Sequence, residues 1–131
     1  MTASLESFKK QVHVVTLVLG LAALVVAQMA DTSKAAGLYT AISLGPVAAG
    51  LITIYRHKVS PGTDKSVAKI VVECAWVDLS FGLGFLMMLP SSYYAVQSPV
   101  SALLGIDAVI MAAYGLYVLI NLSKMGFSLT P

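Results

Sequence analysis

The chain has 131 residues, of which 58% are hydrophobic and 11% charged, and its formal net charge is +2. Soluble domains carry roughly 25% charged residues. With a mean hydropathy of +0.87, the composition points to a single-domain integral membrane protein. The small charge, with no block of Lys or Arg, argues against nucleic acid as a partner. One cysteine, Cys74, excludes an intrachain disulfide and a Cys-rich metal site.

Four apolar segments follow in chain order. The first, 12–30, stands behind Lys9 and Lys10 and contains Val25-Val26-Ala27, which reads like a cleavage site. The run is longer than the roughly 7–15 residues of a signal-peptide core, so a retained membrane helix is expected. The second, 35–55, carries no charge; Asp31 and Ser33 before it are candidate caps. The third is 70–89, and the turn-forming Ser60-Pro61-Gly62-Thr63-Asp64 precedes it. The fourth is 100–122, reached through an uncharged linker containing Tyr93 and Tyr94. Each run is near the ~20 residues that cross a bilayer as a helix. None alternates as a barrel strand does. The expected fold is all-α, a four-helix membrane bundle, and the short connections predict antiparallel, up-down neighbours.

Lys9, Lys10, Arg56, Lys58, Lys65, Lys69 and Lys124 fall at one end of such a bundle, and only Lys34 at the other. The positive-inside rule then puts both termini and the middle connection in the cytoplasm. Tyr39, Tyr55, Tyr93 and Tyr94 lie near the expected interfaces, where aromatic belts form.

The third run holds two carboxylates, Glu73 and Asp78. Five residues apart on a helix, they point about 140° from one another and do not make one acid pair. Lys65, Lys69 and Glu73 form an i,i+4 ladder at the cytoplasmic end, so Glu73 is expected to pair with Lys69. Asp78 is about two and a half turns inside. An acid there must be protonated, paired or hydrogen-bonded. Asp107 in the fourth run falls within about one turn of its depth when counted from the run ends, close enough to share a proton. Thr16, Gln28, Thr40, Ser43, Thr53 and Ser80 are neutral hydrogen-bond partners. With no Lys, Arg or His at that depth, the acids read first as ties between helices and second as a proton or ion site.

Small residues mark expected close contacts between helices. Gly45 and Gly50 flank Pro46 in the second run. Ser80-Phe-Gly-Leu-Gly84 in the third and Ser101-Ala-Leu-Leu-Gly105 in the fourth fit small-xxx-small, Gly115 with Ala108 and Ala112 extends that face, and Gly82 is a further close-packing candidate. His13 and His57 are far apart in sequence and lack further ligands for a metal. No nucleophile triad, phosphate loop, nucleotide fingerprint or metal motif is present. The expectation is therefore no enzyme, no cofactor and no metal.

The run Val71-Val72-Glu73-Cys74-Ala75-Trp76-Val77-Asp78-Leu79, with four short-looped helices and a basic connection after the second, resembles the MARVEL-like tetraspanning membrane proteins. The likeness spans residues 10–125, and the very short first connection departs from many members. The resemblance implies a scaffold or organiser of membrane subdomains rather than an enzyme. The expected partners are membrane lipids, further copies of the chain or a larger membrane-protein complex. The alternative is a small proton-linked carrier built on Asp78 and Asp107.

Overall fold

The computed structural model describes residues 5–59, 63–90 and 98–130. These form four helices, α1 (Leu5–Ala27), α2 (Ser33–Val59), α3 (Asp64–Met88) and α4 (Ser98–Lys124), with no strand among the described residues. All four are long and apolar enough to cross a membrane. The sequence Ser60-Pro61-Gly62 and the residues Tyr93 and Tyr94 lie outside the described residues.

Most helix ends lie beyond the apolar runs. α1 starts at Leu5 rather than near residue 12, and α3 at Asp64 rather than 70. The added turns hold Glu6, Lys9, Lys10 and Gln11 in α1, and Lys65, Ala68 and Lys69 in α3. These are good helix formers. Hydropathy marks the segment that tolerates lipid, whereas the hydrogen-bond ladder continues wherever propensity allows. α1 instead stops short of its run: Gln28, Met29 and Ala30 donate to the carbonyls three residues back, a tightened last turn.

The caps are local chemistry. Thr32, not Asp31 or Ser33, caps α2: its Oγ1 accepts from the Ala35 amide at 3.1 Å. Thr63 does the same for α3 by accepting from Ser66 at 3.4 Å. At the end of α4, Phe127 donates to the Leu122 carbonyl and Gly126 to that of Ser123. This is a Schellman closure, and it needs a left-handed residue, supplied by Gly126 with φ +89°. The chain reverses there, and residues 125–129 pack back on the bundle through Met125, Phe127 and Leu129.

α1 packs chiefly on α2 and α3 chiefly on α4; α2 also meets α3, and α1 meets both α3 and α4. Two apolar clusters form the core. One gathers Phe8, Val12, Val67, Val71, Val118 and Leu122. The other gathers Ala23, Ala27, Ala35, Tyr39, Phe85 and Leu104. Tyr39 is fully buried and stacks on Phe85 with ring centroids 5.8 Å apart, so it belongs to the core and not to an interfacial belt. Tyr55 is 65% exposed near the end of α2.

Glycines bring the backbones together along two seams. A Cβ at Gly20 would meet the Val47 nitrogen at 2.9 Å, and one at Gly50 would meet Leu17 Cβ at 2.9 Å. On the other seam, a Cβ at Gly82 would meet the Ala108 carbonyl at 2.7 Å, and one at Gly115 the Ala75 carbonyl at 2.6 Å. Gly45 faces the Phe81 ring, which fills its place. Gly84 and Gly105 are different from the close contacts expected of them. Nothing lies within 4 Å of a Cβ at Gly84, and only Leu89 Cδ1, at 3.8 Å, near one at Gly105. Gly84 is two residues past Gly82, so about 200° of helix turns it off the seam.

Candidate functional site

The seams fix which polar residues share a level. Gly115 packs on Ala75 and Leu79, and this sets Asp78 opposite residue 115 of α4. Asp78 is fully buried. Its Oδ2 accepts from Thr16 Oγ1 of α1 at 2.6 Å. Thr16 Oγ1 also lies 3.2 Å from Cys74 Sγ, one turn before Asp78 on α3. Thr16, Cys74 and Asp78 thus make one hydrogen-bonded group between α1 and α3. Asp78 Oδ1 and Tyr114 Oη, both buried, have no partner among the described residues.

Further toward the basic end, Arg56 of α2 pairs with Glu73 of α3. The expected Lys69 partnership does not form. Lys69 sits on the exposed side of α3, whereas Glu73 is half-buried and turned toward α2. A partner on the facing helix wins over an i,i+4 neighbour on the wet side. The α2–α3 groove beside this pair is a cleft of about 200 Å³ lined by Thr53, Arg56, Glu73 and Cys74 among others. At the same end His13 and His57, distant in sequence, come together with ring centroids 6.0 Å apart. His13 Nδ1 and both ring nitrogens of His57 are buried without partners among the described residues. No set of three or more His, Cys, Asp or Glu gathers among the described residues.

Asp107 is near enough to act on Asp78 by charge. It lies eight residues before Gly115 along α4, about 12 Å at 1.5 Å per residue. This register sets Asp107 more than one turn from the level of Asp78 along the bundle, and no hydrogen bond joins the two among the described residues. Counting from the ends of the apolar runs assumed that the runs begin level, whereas the Gly82 and Gly115 contacts set the real alignment. Asp107 is 7% exposed, and its Oδ2 has no partner among the described residues.

Two features were not foreseen in the sequence. One is Gly20, for which Thr16-Leu-Val-Leu-Gly20 offered a small-xxx-small signal. The other is the return of the C-terminal segment, where Trp76 Nε1 donates to the Leu129 carbonyl at 2.7 Å. Gly126, placed just after the last apolar run, was the available signal for that reversal.

Comparison with family models, with curated proteins and with solved structures finds no match to this chain.

Proposed function

We propose that this is a tetraspanning membrane protein that works by contact, as a scaffold or organiser of membrane subdomains or as an accessory subunit. The observation that carries the reading is the outer surface. Large apolar side chains stand out from every helix, among them Val18 at 57%, Ile52 at 56%, Met87 at 78% and Ile106 at 59% exposure. Only lipid or another protein's helices would cover such a belt. The buried polar groups meanwhile serve largely as ties: Thr16 to Asp78 and Arg56 to Glu73. Gln28 to Thr40, at 2.7 Å, adds a further link between α1 and α2. The likeness of residues 71–79 to MARVEL-like proteins leads the same way.

In this reading the bundle is inserted antiparallel. The contact pairs support it: Leu17 with Gly50 and Gly20 with Val47, then Gly82 with Ala108 and Gly115 with Ala75. Both termini and Lys58 lie in the cytoplasm, and Asp31 opposite. Single cysteines at positions 58 and 31, labelled from either side of sealed vesicles, test this; labelling of both from one side overturns it. Extraction in mild detergent with native mass measurement tests the contact role. A defined complex or oligomer is expected, and a strictly monomeric protein refutes it.

A carrier is the second reading, favoured by the unpartnered Asp78 Oδ1 and Tyr114 Oη and by the groove that reaches Thr53 and Cys74. Proton-coupled flux in reconstituted vesicles, abolished in Asp78→Asn, would establish it in place of the scaffold.

A further inference from the structure

Because Arg56 takes Glu73, the two lysines of the expected ladder are left without a carboxylate. Lys65 and Lys69 make no ion pair among the described residues. They line a cleft of about 420 Å³ instead, closed on its far side by the returning C-terminal segment. Ser66, Ser128 and Thr130 add hydroxyls, and Phe127 an apolar wall. Among the described residues no acidic side chain lines it. Two ammonium groups and three hydroxyls suit a phosphate that bears further oxygen substituents.

On the other side of the same segment is a second groove, also about 420 Å³. Trp76, Leu116, Leu119 and Ile120 line it, with Leu129 of the segment along its edge and Lys124 and Ser123 at one end. Its wall is aliphatic and aromatic, and its charged end is basic. The segment itself is fastened between the two by the Trp76–Leu129 hydrogen bond and by the Gly126 reversal. The two spaces therefore share one wall, polar and basic on one side, apolar on the other. A phospholipid has that division of character, with an anionic head and an acyl chain.

The geometry points to a binding site for an anionic phospholipid, gripped around the C-terminal segment. Its phosphate sits against Lys65, Lys69, Ser128 and Thr130, and one acyl chain lies along Trp76, Leu116 and Ile120. This rests on the membrane-contact reading above and specifies the lipid class and the place. Charge complementarity chooses the occupant. A zwitterionic lipid carries its own cation beside the phosphate and so gains less from two ammonium groups, whereas each lysine near an anionic headgroup adds about fivefold in affinity.

Trp76 is the only tryptophan, and it lines the acyl groove, so its fluorescence reports the site directly. The full chain is reconstituted in vesicles of phosphatidylcholine containing an equal mole fraction of either brominated-acyl phosphatidylcholine or brominated-acyl phosphatidylglycerol. Stronger quenching by the anionic lipid, by roughly tenfold in apparent affinity, is expected. Lys65→Gln with Lys69→Gln should abolish that preference. Lys9→Gln with Lys10→Gln, which removes the same charge elsewhere at that end, should leave most of it. Equal quenching by both lipids overturns the site while leaving the membrane reading standing, and no quenching by either overturns both. Equal loss in the two double variants reduces the effect to general surface charge and refutes the site. Relief of quenching by soluble glycerol phosphate would show a plain anion site and refute the lipid.

Discussion

Asp78 and Asp107 are both buried acids on neighbouring helices, yet their surroundings differ. Asp78 is held by Thr16 at 2.6 Å in a group that joins α1 to α3. Close by, Gly115 presses backbone to backbone on α3. Asp107 Oδ2 has no partner among the described residues, although Gly82 packs on the carbonyl of its neighbour Ala108. The α3–α4 seam is thus close-packed at both levels, but only the level of Asp78 carries a hydrogen bond from another helix. Burial alone does not identify a tie. A buried acid stabilises helix association only where a donor on another helix is fixed to meet it.

The sharpest way to break this comparison is a matched pair of substitutions. Gly115→Leu must push α4 off the Ala75 carbonyl, and neither backbone can give cheaply. A loss of about 3 kcal/mol is expected, at the upper end of overpacking costs. Gly105→Leu meets only Leu89 Cδ1 at 3.8 Å and should be nearly silent. Thermal unfolding in mild detergent, followed by circular dichroism, measures both. Equal loss would mean that Gly105 lies on a seam as tight as that of Gly115.

Removing the acids themselves comes next in size. Asp78→Leu strips Thr16 of its acceptor and should cost about 1–3 kcal/mol. Asp107→Leu removes an oxygen that already lacks a partner, and stability should stay within about 0.5 kcal/mol or rise. If Asp107→Leu is the more damaging, Asp107 is the tie and the comparison is reversed. Asp78→Asn sharpens the point, since its carbonyl oxygen still accepts from Thr16. It should lose less than about 1 kcal/mol, and partner binding should survive. A proton carrier would lose flux in Asn and Leu variants alike.

Much of this layout was legible in the sequence. The four helices announce themselves by hydropathy. Gly45, Gly50, Gly82 and Gly115 meet neighbours as small residues in membrane helices do. What stayed hidden is register and facing. Gly82 and Gly84 look alike in a sequence pattern, and only the crossing of α3 with α4 decides which is on the seam. Glu73 has a local partner in Lys69 and a distant one in Arg56, and local spacing says nothing of the facing helix. The depth of Asp107 failed for the same reason, since apolar run ends do not encode how helices slide past one another. The C-terminal segment after Lys124 has no periodicity, so its hydrogen bond to Trp76 had no sequence signal beyond Gly126.

The Arg56–Glu73 pair gives the smallest effect and a direct test of why it displaced the ladder. Its side chains are 37% and 31% exposed, so solvent screens much of the attraction. Pairs of that kind contribute about 0.2–1 kcal/mol. Arg56→Gln should therefore cost about 0.5 kcal/mol, several times less than Asp78→Leu, and the cost should shrink further in high salt. A double-mutant cycle with Glu73→Gln isolates the pair: if the two residues act only on each other, the double variant should be no worse than either single one. The same cycle between Lys69 and Glu73 should give no coupling, because the carboxylate is already turned toward α2. Coupling to Lys69 as large as that to Arg56 would restore the local ladder. It would also withdraw Lys69 from the cleft beneath the C-terminal segment, so this small energy bears on both the bundle's ties and the proposed lipid site.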